Sequence, residues 1–301
     1  MVPTLAGVIL LIFFLFKLFG GDPSQILAGQ VASQEQIDAI RHELGLDRPW
    51  TTQLAIFVRE IISFDFGKSW MTREQVSDIF LTRLPATLTI TIPILLLEAA
   101  LAIPTAMLVA YYRGTLLDRT VMAICVAAMS ISFLVYIIVG QYVLGFHLGW
   151  FPVQGWSDDF WRNLYYYAPL PILLAALVGL APQTRLYRSF FLDETKNDYV
   201  RTARAKGLSE PAILRKHVLR NALVPVVTNV SLLVPGVFVG SFLLEIFFSI
   251  PGLGREIYLA VNRSDYPVIQ AVTIYLSVLT MLINLAADVL YTFVDPRIQL
   301  R

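Results

Sequence analysis

The sequence predicts an all-α membrane protein with about six transmembrane helices. Of its 301 residues, 56% are hydrophobic and only 15% are charged, where a soluble domain carries about 25% charged residues. The apolar residues gather in runs of spanning length, roughly 17 to 25 residues. The basic residues collect in alternate connections between those runs, the pattern of a multi-pass chain whose basic loops lie in the cytoplasm.

The first run, Val2 to Phe19, is apolar apart from Thr4 and Lys17. A cleaved signal peptide is the rival reading, but there is no basic n-region and no clear small-x-small cleavage site. Residues 1–19 are therefore read as an uncleaved first transmembrane helix, with a short basic lead expected to be missing before it. Residues 20–83 change character and read as a small external helical cap. Asp22-Pro23 makes a turn, SQEQIDAIRHELGL reads as an amphipathic helix from near Ser33 to Gly45, and a second helical pattern runs from about Trp50 to Ile62. This segment is acidic rather than basic. Gly67-Lys68-Ser69 mimics the end of a phosphate-binding loop, but the required glycine five positions earlier is Ile62.

Residues 84–301 carry the remaining runs. Leu84 to Tyr112 is a second span, interrupted by Pro93 and Pro104, with Glu98 as its one ionisable residue. Such a residue raises the hypothesis of a substrate contact or proton site, against a carboxylate that bonds a neighbouring helix or faces a water-filled cavity. A third span, about 120–146, follows the basic turn Arg113 to Arg119 and has Gln141 near its end. The loop 149–164 is aromatic and acidic, which suits a membrane-interface belt. A fourth span, about 165–186, a fifth, about 221–248, and a sixth, about 268–293, complete the set. The fifth carries Glu245; the sixth carries Asn284 and Asp288. Pro251-Gly252-Leu253-Gly254 lacks the third glycine of a dinucleotide loop, since Ile257 stands there.

Between spans four and five lies a polar island, DYVRTARAKGLSEPAILRKHVLRNALVP, Asp198 to Pro225, within a loop 187–220. Its six basic residues cannot lie in hydrocarbon, where each costs roughly 2.5 to 3.5 kcal/mol. Asp198 can cap a first short helix, and Gly207 suits the left-handed residue that ends one. Ser209 with Pro211 starts a second helix, in which Leu214, Val218 and Ala222 share a face away from Lys216 and Arg220. A basic loop held by anionic headgroups is the plain alternative. His217, alone in a basic helix, reads as polar surface rather than as a proton relay.

The basic set comprises Arg113 and Arg119, nine basic residues from Arg185 to Arg220, and Arg297 with Arg301. It places both termini in the cytoplasm and the cap outside. A net charge of +1 gives a nucleic-acid partner no electrostatic support. The single Cys125 excludes an internal disulfide and a multi-cysteine metal site.

Several strings, in order, resemble the membrane-spanning permease subunits of bacterial ATP-binding cassette importers, in the dipeptide and oligopeptide branch. They are GGDPSQILAG, LGLDRPW, DFGKS and RLPATLTIT in the first third, YVRTARAKGLSE and HVLRNALVP in the island, then PGLGREI, RSDYPVIQA and NLAADVLYTFVDPRI. Of the general importer coupling motif only Ala203, Gly207 and Leu219 fit; Arg201 and Thr202 stand at its first two places and Arg220 at its last.

The resemblance implies the type I importer permease fold with a cytoplasmic coupling helix. It implies a bacterial inner-membrane subunit that, with a second permease, forms the path for peptides. Two ATPase subunits would bind ATP and magnesium, and an external binding protein would deliver cargo. The chain has no G-x-x-x-x-G-K-[ST] and is expected to hold no cofactor and to catalyse nothing itself. Tyr199, Arg201, Ala203, Arg204, Lys206, Gly207 and Leu219 would couple it to an ATPase, with Ala203 and Gly207 permitting close approach. Glu98, Gln141 and Glu245 are candidate pathway residues. The same branch handles nickel, opines, glutathione and sugars. An ion-coupled secondary transporter working through Glu98, Glu245 or Asp288 is the competing class, and a scaffold without transport fits poorly with so many prolines and glycines in the spans.

Overall fold

The computed structural model describes residues 2–19, 22–28, 32–63 and 65–294. The expected basic C-terminus, Arg297 and Arg301, lies outside them, and the side chain of Asp288 is likewise not described.

Contacts divide the chain into two compact units, 1–85 with 251–282, and 86–250 with 283–301. In the first, helix α1 (Val2–Phe19) is followed by α2 (Pro23–Ala28), α3 (Gln34–Glu43) and α4 (Trp50–Ser63). The expected cap helices are therefore present. Ser33 caps α3 reciprocally with Gln36, the capping box that satisfies two otherwise unpaired amides. Ile9 and Ile12 of α1 bury against Ile61 of α4 and Ile274, so α1 is an integral helix of this unit. The turn expected at Asp22-Pro23 is the start of α2, where the Asp22 carboxylate accepts from the Ser24 amide at 3.0 Å. Later in the chain come α14 (Leu253–Asn262) and α15 (Tyr266–Val294). Asp265 is buried between them and holds the 69–70 turn by accepting from Ser69 Oγ at 2.5 Å and the Trp70 amide at 3.0 Å.

Helix α5 (Val76–Tyr111) runs unbroken for 36 residues, so Pro93 and Pro104 do not interrupt the second span as expected. Membrane helices tolerate proline where neighbouring groups re-satisfy the freed backbone. The expected third span is also not one helix. α6 (Leu116–Met129) and α7 (Phe133–Gly140) meet at 90°, and α7 continues as a π-helical turn, Gln141–His147. Ser132 is extended at the bend, and Ser130 Oγ donates to the Val126 carbonyl at 2.9 Å.

A short helix α8 (Phe160–Arg162) and a π turn, Asn163–Tyr167, lead into α9 (Pro169–Glu194). The island supplies α10 (Asp198–Ala205) and α11 (Glu210–Ile213). A π turn, Leu214–Val218, then joins α11 to α12 (Leu219–Val239). At Gly240, with φ +76°, the chain breaks before α13 (Phe242–Phe247). Among the described residues, four helical stretches are long and apolar enough to cross a membrane, five if the bent pair is one span, and α1 is a shorter apolar helix. This is roughly the number of spans expected.

Candidate functional site: the coupling island and a carboxylate cavity

The island folds as two helices around Gly207. Asn197, not Asp198, stands at the N-cap of α10, and its side chain makes no capping bond; Asp198 is the first helical residue, where its charge still suits the helix dipole. Gly207 has φ +77° with nothing within 4 Å of where a Cβ would stand. It is therefore glycine for its backbone and not for a close neighbour within the chain. Arg204 then reaches across the turn, its Nε 2.5 Å and its Nη2 3.1 Å from the Glu210 carboxylate, which holds the guanidinium charged.

One face of α10 is core. Val200 and Ala203 are buried in a cluster with Ile213, Leu214, Val218, Ala222 and Val226. The same cluster takes in Ala102, Ala106 and Ala110 of α5 and Tyr187 and Phe191 of α9. Ala102, Ala106 and Ala110 of α5 and Ala203 of α10 are small residues, the kind that permits close packing of membrane helices. Leu219 packs at the margin of this cluster. The closeness that Ala203 provides is thus to the chain's own helices. Tyr199 is also turned inward: its hydroxyl hydrogen-bonds the Glu194 carboxylate, and burial, then that bond, push its phenol above the ordinary range.

The opposite face is exposed and basic. Arg201, with its side chain 75% exposed, makes only a 3.4 Å contact with Asp198, the kind of surface pair worth little. Thr202, Ala205, Lys206 and Leu208 are exposed beside it. Of the seven residues singled out from the sequence, Arg201 and Lys206 face outward, Arg204 is a half-exposed clasp, and Gly207 is the hinge. Tyr199, Ala203 and Leu219 anchor the helix from within.

The candidate pathway residues separate in the same way. Glu98 lines an open pocket of about 320 Å³ formed by α5, α7, α9, α12 and α13. Glu245 is fully buried and accepts from Thr87 Oγ1 at 2.9 Å. Gln141 lies outside the cavity lining. Its Nε2 donates to the carbonyls of Val153 and Phe247, each at 2.9 Å, so it ties a loop to α13.

The family described as binding-protein-dependent transport system inner membrane component matches residues 102–300, and its N-terminal counterpart matches residues 2–91. The chain belongs to this family. A glutathione transport system permease protein, GsiC of Salmonella choleraesuis, is 36% identical over 99% of this chain and 96% of its own length. The di/tripeptide transport system permease protein DppB of Pseudomonas aeruginosa is 34% identical over the same shares. A peptide transport system permease protein of Brucella abortus is 36% identical, again over 99% of this chain and 96% of its own. The protein is thus a multi-pass membrane transport subunit, a permease.

Sequence reasoning missed one ion pair of this permease. Arg188 on α9 grips Asp118 at the start of α6 with both Nε and Nη2 at 2.8 Å. The Gly114 amide donates to the same carboxylate at 2.8 Å. The basic turn 113–119 hid the pair, because Asp118 reads there as one acid diluted among cations.

Proposed function

We propose that this permease forms, with a second homologous permease, the path of an ATP-driven importer whose cargo is peptides. The observation that carries the cargo is the end-to-end similarity to permeases named for peptides, di/tripeptides and glutathione. Glutathione is itself a small peptide, so these names share one chemistry: short chains with amide bonds and charged ends. In this reading two separate ATPase subunits bind ATP with magnesium and an external binding protein delivers cargo. The basic loops and both termini face the cytoplasm of a bacterial inner membrane.

The exposed face of α10, with Arg201 and Lys206, is the surface we assign to an ATPase subunit. Arg204 supports the edge of that surface while clasped to Glu210. The inner face of α10 is packed with α5, α9 and α12, and close-packed interiors transmit displacement rather than absorb it. Movement of α10 by ATPase closure therefore shifts those helices together, and ATP acts by favouring one arrangement over the other.

The test is co-purification from the native membrane followed by uptake in proteoliposomes. Recovery of two ATPases and a second permease, with peptide uptake that requires ATP and resists a protonophore, is the expected result. Uptake that collapses with the protonophore and proceeds without ATPases overturns the reading.

A further inference from the structure

Glu98 sits in the middle of α5, one of the helices long and apolar enough to span a bilayer. It lines the cavity of about 320 Å³, within the roughly 300–1,000 Å³ range of small-ligand sites. The surrounding wall includes Ile94, Phe133, Val178 and Leu233, and its other polar side chains, Thr91 and Ser241, are neutral. Thr91 is already engaged, its Oγ1 2.7 Å from the Val237 carbonyl. Glu98 has no hydrogen-bond or ion-pair partner among the described residues, in contrast with Glu245, which Thr87 holds.

The facing helix is shaped around this carboxylate. A Cβ on Gly179 of α9 would collide with the Glu98 carboxyl group, so glycine there is what lets the carboxyl group occupy its place. A carboxylate inside a membrane helix is expensive unless it faces water or a cation. Here the described residues supply room and no cation.

We propose that Glu98 is a cation-selecting contact of the cargo path, where the ammonium groups of a peptide, at its amino terminus or on basic side chains, pair with the carboxylate in passing. This rests on the peptide reading given above. The pocket is large enough to hold the ammonium-bearing end of a short peptide, is open to an incoming group, and offers it a charge-assisted hydrogen bond.

The experiment uses the whole complex in proteoliposomes, with initial ATP-driven uptake rates of dilysine and diglutamate measured for wild type and for Glu98→Gln, Glu98→Asp and Glu98→Lys. The same binding protein delivers both cargoes to every variant, so its own preference cancels in the comparison. Glu98→Gln, nearly isosteric, is expected to lower the dilysine-to-diglutamate ratio by about tenfold, the scale of one charged hydrogen bond. Glu98→Asp should hold the ratio near the wild-type value, and Glu98→Lys should push it below that of Glu98→Gln. A ratio unchanged in Glu98→Gln overturns the proposal, as does an equal fall in both rates, which marks a structural role. Should Glu98→Lys fail to assemble, Glu98→Gln alone decides. ATP-dependent uptake by the wild-type complex is scored separately, with glutathione as a third cargo, so a wild type that moves neither dipeptide overturns the selectivity, and one that also refuses glutathione refutes the peptide reading with it. A wild type that moves them with an insensitive ratio refutes only the role of Glu98.

Discussion

Replacing Ala203 by glutamate and Arg201 by glutamate puts the same new charge two residues apart on one short helix, and the structure gives the two changes opposite meanings. Ala203 is 5% exposed within the cluster of α5, α9, α10 and α12. A glutamate there adds volume to a filled site, which costs about 1–3 kcal/mol. It also brings a carboxylate into an apolar surrounding with no cation in the cluster, a further penalty of several kcal/mol that the group lessens by taking up a proton. A loss of at least about 3 kcal/mol is therefore expected from Ala203→Glu. Arg201, 75% exposed with one weak partner, lies in the class of surface sites where a change moves stability by about 0.5 kcal/mol or less. Thermal unfolding of the purified complex and recovery of the ATPase subunits are the two readouts. Ala203→Glu should lower the unfolding midpoint and lose ATPase binding with it. Arg201→Glu, combined with Lys206→Glu, should leave the midpoint in place and still lose ATPase binding. An Ala203→Glu protein with the wild-type midpoint but no bound ATPase would place Ala203 at the interface and refute the inward-facing anchor.

Four further outcomes are expected. Asp118→Asn removes the carboxylate gripped by Arg188 and held by the Gly114 amide. With the Arg188 side chain 21% exposed, water recovers part of the loss, so about 2–3 kcal/mol, below the range for a fully buried pair, should appear in thermal unfolding. Gly207→Ala meets no neighbour and should cost only about 1–2 kcal/mol for the left-handed backbone while keeping uptake. Gly207→Pro cannot adopt φ +77°, must redirect α10, and should abolish uptake while leaving membrane insertion intact. Finally, burial raises the Asp22 carboxyl pKa, but the Ser24 and Arg41 hydrogen bonds outweigh it and hold the group below its ordinary range. A depressed folded-state pKa stabilises above the unfolded value of about 3.9 and is lost as pH falls through the folded value. Amide exchange in α2 and α3, corrected for its intrinsic pH dependence, should be protected at neutral pH and loosen only in strong acid; Arg41→Ala should weaken that pH dependence, the Ser24 bonds to Asp22 remaining.

Local signals were legible where one stretch of chain suffices. The helix start near Ser33, the left-handed Gly207 and the shared face of Leu214, Val218 and Ala222 all follow from the chemistry of a short stretch, and the structure repeats them. The prolines misled because their cost was judged as in water. In α5 they sit inside an unbroken helix, and in a membrane protein the surroundings decide whether a freed carbonyl is satisfied. The 90° bend between α6 and α7 contains neither Gly nor Pro. The two serines flanking Ile131 were its only trace, and they are too common to carry a reading.

The amino-acid sequence by itself determined the membrane character, the number of long apolar segments, and the basic island between the fourth and fifth. Hydropathy, charge and turn chemistry are properties of short stretches and need no partner to be read. Only the tertiary structure decided which side of α10 is buried, because Arg201 and Ala203 differ in what lies across from them rather than in their own neighbours along the chain. It likewise separated Glu98, unpartnered against Gly179, from Glu245, held by Thr87. Both are single carboxylates in apolar runs, and the difference between them comes from residues about eighty and one hundred and sixty positions away.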